Sequence, residues 1–237
     1  MRLSPDAIAV FDLGPWTVNA TLVGSWIVMA LLVVGSWWVA RGLRAGGEMG
    51  RGQNVLEAIV AFVRDQIREV TGQDPDPYLP FVGTLFLFIV VSNVLSVVPG
   101  FEAPTGSLTT TAALALVVFV AVPAFGIAKV GLRAYLGNYL RPSPFLLPFT
   151  IIGELSRTLA LAVRLFGNVM SGSVIAAILL SVAPLFFPVV MQAFGLLIGV
   201  IQAYIFAILA IVYIASGTEL QERRGRAHDA HEGEEPG

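Results

Sequence analysis

Four polar residues interrupt one long apolar stretch of this sequence: Glu154, Arg157, Arg164 and Asn168. Spacings of three, seven and four residues bring all four near one face of a helix. Arg164 lies deepest between the water boundaries. Placing an arginine at membrane depth costs about 2.5–3.5 kcal/mol on insertion scales. A guanidinium does not deprotonate in a protein, so it cannot carry a proton, but it can hold a passing carboxylate in its ionised form. For Glu154 and Arg157 an ordinary structural pair is as good an explanation as chemistry: Arg157 snorkels and Glu154 neutralises an arginine. Arg164 has Gly, Asn and Ser around it instead of acids, and a structural role explains it less well.

A second apolar stretch carries a complementary face. Gln192, Gly195, Gly199, Gln202 and Phe206 follow one another at three, four, three and four residues. The two glycines would let the backbone approach the preceding helix closely, and packing alone accounts for them. Gln202 is an amide in an apolar helix and needs a partner, either Arg164 or a carboxylate from another chain.

Elements that can hold these residues follow from composition. Of 237 residues 56% are hydrophobic and only 13% charged, with mean hydropathy +0.81, far from the roughly 25% charged composition of soluble domains. This is the composition of an all-α membrane protein. Uncharged runs predict five membrane helices, at about 21–40, 81–98, 108–128, 149–183 and 189–216, within a single membrane domain, 1–237. Between the first two lies a stretch, 53–71, with Val55, Ile59, Phe62, Val63, Ile67 and Val70 on one side and Glu57, Arg64, Asp65, Arg68 and Glu69 on the other. That is an amphipathic helix for the membrane surface or a partner. The helix at 149–183 would be a rod of roughly 52 Å, against a hydrocarbon core of about 30 Å. It must tilt strongly or bend, and the helix after it is also long. The charged segment 219–237 reads as a flexible tail.

Basic residues cluster at Arg41, Arg44 and Arg51, at Lys129, Arg133 and Arg141, and at Arg223, Arg224 and Arg226, whereas the 99–107 loop carries Glu102 alone. The positive-inside rule puts these clusters and the 53–71 helix on the cytoplasmic side, with the N-terminus outside and the C-terminus inside. Asp6 and Asp12 argue against a removable signal peptide. With no cysteine, and with its histidines confined to His228 and His231, the sequence offers no disulfide, thiol nucleophile or intramembrane metal site. No glycine-rich phosphate loop is present, so no cofactor is expected. A net charge of −2 argues against nucleic acid.

The runs Arg164-Leu165-Phe166-Gly167-Asn168 and Ile201-Gln202-Ala203-Tyr204-Ile205-Phe206, the latter continuing to Ile211-Val212-Tyr213, resemble the hallmark segments of subunit a of F-type rotary ATP synthases. Ser92-Asn93, Pro99-Gly100-Phe101 and Pro104-Thr105 match as well, and the resemblance covers about residues 20–218. It implies a membrane stator that is no enzyme on its own. Its 149–218 helix pair would face a rotating ring of c subunits, alongside peripheral-stalk b subunits and the rest of the synthase, in an energy-coupling membrane such as a bacterial inner membrane. Arg164 matches the arginine that separates two half-channels for H+ or Na+. Asn168 and Gln202 match polar residues beside it. Glu154 becomes an inner-channel candidate, and Arg157, Ser173 and Asn93 are counted with the ion pathway. The family usually has an ionisable pair where this chain has Ser173 and Gly195. That absence, with Arg157, is more similar to the alternative N-type branch.

Two other classes fit less well. A self-contained ion transporter usually shows inverted repeats and broken helices, and a structural membrane scaffold has no need of Arg164 at depth.

Overall fold

The computed structural model describes residues 9–13, 16–41, 51–98, 100–133, 135, 147–182 and 187–232. Arg44, Pro99 and Arg141, named above, lie outside the described residues.

A short antiparallel hairpin, β1 (Ala9–Leu13) and β2 (Trp16–Asn19), pairs Phe11 with Val18 and Asp12 with Thr17. The sequence reading contained no strand. The β-favouring residues Val10, Phe11, Trp16, Thr17 and Val18 account for this one. Helices follow: α1 (Ala20–Arg41), α2 (Arg51–Thr71), α3 (Leu79–Leu95), α4 (Leu108–Val130), α5 (Leu147–Val182) and α6 (Phe187–Glu232), with a 3-10 turn at Pro104–Gly106. The membrane part is thus helical, as expected. Ala20–Arg41, Leu108–Lys129 and Val189–Ser216 are long and apolar enough to cross a bilayer, with hydropathies of 2.0, 2.4 and 2.5, and Leu79–Leu95 is a shorter apolar helix.

Local chemistry sets the boundaries. A proline in its first turn, Pro80, starts α3. Ser107 caps α4 by accepting the Thr110 N–H on its hydroxyl, and Gly131, at φ 82°, ends α4 in a conformation that L side chains rarely adopt. Leu85 and Ile89 of α3, Ala115 and Val118 of α4, Leu161, Ala162 and Leu165 of α5, and Ala203, Phe206 and Ala210 of α6 form the central core. α1 stands at the edge. It is buried only at Thr21, Gly24 and Val28, and Trp38 is 77% exposed. Gly24 is where α1 comes closest to the 3-10 turn: a Cβ there would lie 3.0 Å from the Glu102 carbonyl oxygen.

α2 finds its partner inside the chain. Val63 and Ile67 join Tyr78, Val82, Ala207, Ile211 and Ile214 in a second cluster, while Val55 and Phe62 stay exposed. An Arg64–Asp76 ion pair braces the turn into α3. With 36 residues, α5 is a rod of about 54 Å, well beyond a ~30 Å hydrocarbon core. α6 continues to Glu232, through most of the charged segment expected as a tail, and residues 233–237 lie outside the described residues. Glu219 and Arg223, and Glu222 and Arg226, stand four apart with the acid first, a spacing that supports a helix.

Candidate functional site

The stripe inferred from sequence runs along the seam between the packed and open sides of α5. Leu161, Ala162 and Leu165 point into the core, Glu154 and Asn168 are half-buried, and Arg157 and Arg164 are exposed. Arg164 has no hydrogen bond or ion pair among the described residues. Along the face of α5 that carries Arg164 run the exposed small residues Gly153, Ser156, Ala160, Gly167 and Ser171, flanked by the exposed Leu155, Leu159 and Val163. A Cβ added at Gly153 or Gly167 would meet open space.

Gln202 is 7% exposed, and its Nε2 has no hydrogen-bond partner among the described residues. The expected bond between Gln202 and Arg164 is absent. Gln202 is buried on the inward side of α6 and Arg164 is exposed on the outward side of α5, while their neighbours Leu165 and Ala203 share the central core cluster. The two glycines of α6 also differ from expectation. Gly195 is exposed with nothing near it, and Gly199 packs against α3, where its Cβ would come within 3.0 Å of the Asn93 side chain.

Asn93 is buried and both ends of its amide are used. Its Nδ2 donates to the Gly199 carbonyl at 2.9 Å, and its Oδ1 accepts from the Thr105 hydroxyl at 3.0 Å. Farther along α6, Gln192 Nε2 donates to the Val97 carbonyl at 3.3 Å. Ser173 lies within α5, and its side chain is outside the described residues.

Near the other end of α5, the Arg157 guanidinium stands 5.6 Å from the centre of the Tyr213 ring, within cation–π range. Glu154 lies close enough to Tyr135 to act on its phenol, whose pKa is raised above the ordinary value of 10.0 by burial and then by the Glu154 charge. The Tyr135 ring sits against Gly126, where a Cβ would be 2.6 Å away. Sequence reasoning missed Tyr135 and Tyr213 as neighbours of the stripe. It also missed Thr105 as a partner of Asn93, and the bond from the Tyr204 hydroxyl to Gln66 Oε1 at 2.6 Å. Only the interval from Gly126 to Tyr135 across the end of α4 offered a signal, and it does not name Glu154 as the third member.

Comparison with known proteins gives a consistent result. The family described as ATP synthase A chain matches residues 22–215. The chain is 61% identical over 222 residues to ATP synthase subunit a 2 of Acaryochloris marina, covering 94% of this chain and 95% of that one. It is 57% identical to ATP synthase subunit a 2 of a Picosynechococcus species, over 94% and 96% of the two chains. With ATP synthase subunit a 1 of Crocosphaera subtropica it shares 54% identity over 97% and 100%.

Proposed function

The chain belongs to the ATP synthase A chain family, and we propose from that premise that it is the membrane stator of a rotary F-type ATP synthase, with Arg164 standing between two half-channels for H+ or Na+. As a member of the family it is an integral membrane component of the synthase and not an enzyme by itself.

The observation that carries the reading is Arg164. It is a fixed positive charge on the open side of α5, unpaired among the described residues, beside the fully buried Leu165. The strip of small residues around it lets a partner's helices come close. The partner whose chemistry fits is the c-subunit ring, carrying a carboxylate at membrane depth, with b subunits bracing the stator.

An ion enters one half-channel, neutralises a ring carboxylate, travels round with the ring through lipid and leaves by the other half-channel. Arg164 favours the ionised carboxylate as it passes, so the ion departs before the carboxylate crosses the divide. Because the guanidinium keeps its own proton, it closes the direct route between the channels. Each charge moved across the membrane contributes about 2.3 kcal/mol per 100 mV, the source of torque in synthesis. Asn168, one turn from Arg164, and Gln202, on the facing helix, border the path. Ser173 belongs to the outer half-channel, and Glu154 with Arg157 to the inner one. The N-terminus faces outward and the C-terminus the cytoplasm of a bacterial inner membrane.

The test is Arg164→Ala in the intact synthase reconstituted in vesicles. Coupled synthesis is expected to vanish while stator and ring still assemble. Arg164→Lys is expected to fail as well, because it loses the planar fork and can lose its proton. Normal coupled synthesis by either variant would refute the assignment.

A further inference from the structure

Along α6 the burial changes abruptly. Ala203, Phe206, Ala207, Ala210, Ile211, Ile214 and Ala215 are buried, whereas Gln192, Ala193, Phe194, Gly195, Leu197, Ile198, Val200 and Ile201 are exposed. Gly199 is the buried exception within that open half, and the group covering it is Asn93. Asn93 is 4% exposed and Thr105 is fully buried. A buried amide and hydroxyl without partners would be costly, and here each satisfies the other. The pairing also fixes the orientation of the amide: with Oδ1 taken by the Thr105 hydroxyl, Nδ2 is turned toward the Gly199 carbonyl.

A Cβ at position 199 would lie 3.0 Å from three atoms of the Asn93 side chain, so a larger residue requires Asn93 to shift. The connection continues outward. Thr105 belongs to the buried turn Pro104–Gly106, and Pro104 packs against Gly24 of α1, where a Cβ would lie 3.3 Å from its Cγ. One line of contact therefore joins α1, the 3-10 turn, α3 and α6, and it reaches α6 three residues, about one turn, before Gln202.

We infer that Asn93, held by Thr105, is a positioning residue that pins α6 at Gly199 and thereby sets the position of Gln202, one turn further along; it is not a group on the ion path. This rests on the stator reading above and adds to it the device that sets the height of α6. A helix that bears on a rotor is pushed sideways at each step, and the open half of α6 has few other contacts to resist the push.

The experiment uses the intact synthase in vesicles, with Asn93→Ala, Thr105→Val, Thr105→Ser and the double variant Asn93→Ala/Thr105→Val. ATP-driven pumping should fall by roughly three- to tenfold in Asn93→Ala, the scale of the one buried hydrogen bond it makes to α6. The double variant should be no worse, since Thr105 acts through Asn93. Thr105→Ser, which keeps the hydroxyl, should pump normally, and the pH profile of pumping should keep its midpoint in every variant. Because the chain has no cysteine, oxidative crosslinking of Val97→Cys with Gln192→Cys reads the α3–α6 register directly. Its yield should drop in the Asn93→Ala background. Thr105→Val, which removes one hydroxyl at nearly constant volume, carries the test if Asn93→Ala does not assemble. Wild-type pumping, additive losses or a shifted pH midpoint would each overturn the positioning role. The crosslink does not depend on ion movement, so a failure of the stator reading at Arg164 would leave the register result standing.

Discussion

Leu165 is fully buried and its neighbour Arg164 is exposed, so adjacent residues on α5 serve opposite sides of the helix. Stability and coupling should therefore separate between them. Leu165→Ala opens a cavity in the four-helix core and should cost about 2–5 kcal/mol, seen as a lower unfolding temperature in detergent. Arg164→Ala removes no packed group and should leave that temperature within a few degrees of wild type. A large loss of stability in Arg164→Ala would mean that the arginine is structural.

The polar stripe, the apolar helices and the amphipathic α2 are legible in the sequence because each is a matter of composition or periodicity along one segment. The partners were not. Gly199 was assigned to the contact with α5 because glycines on a long helix suggest its chain neighbour, yet it is α3, more than a hundred residues earlier, that occupies the space. Gln202 was matched to Arg164 on chemistry alone. Whether the two meet depends on the rotation of each helix about its axis, which the core residues Leu161, Leu165, Ala203 and Phe206 decide together.

Tyr204 links α6 to α2 through Gln66, and its ring lies 5.9 Å from that of Phe62. Tyr204→Phe keeps the ring contact and removes the hydrogen bond, so it should cost about 0.5–1.5 kcal/mol. Gln66→Leu should cost a similar amount, and combining the two should add little. Additive effects in detergent unfolding would show that the hydroxyl and the amide act separately.

Tyr135 supplies a pH dependence of known sign. Its phenol has a raised pKa in the fold, so the folded state holds that proton more tightly than the unfolded chain does. The resulting contribution is complete below the unfolded value near 10 and is lost as pH climbs through the higher folded value. Stability should therefore decline above about pH 10 in the wild type and decline less steeply in Tyr135→Phe. Gly126→Ala drives a methyl group into the Tyr135 ring and should be destabilising, with partial rescue by Tyr135→Leu. Identical alkaline curves for wild type and Tyr135→Phe would remove Tyr135 as the source.

The side of the membrane that α2 occupies can be argued from one contact. Lys129, near the end of α4, donates to Gln73 Oε1 at 2.7 Å, just past the end of α2. Those two ends thus share a level, and α3 and α4 both run between that level and the turn at Pro104–Gly106. The level they share carries Arg64, Arg68, Lys129 and Arg133, whereas the turn side carries Glu102, so the positive-inside rule predicts that the first is cytoplasmic. In this cysteine-free chain, Glu102→Cys should react with an impermeant thiol reagent from outside the cell, because Glu102 is exposed while the neighbouring Thr105 and Gly106 are buried. Glu69→Cys, on the exposed side of α2, should react only in inverted vesicles. Labelling of Glu69→Cys in intact cells would reverse the orientation, and the outer and inner half-channels would exchange places with it.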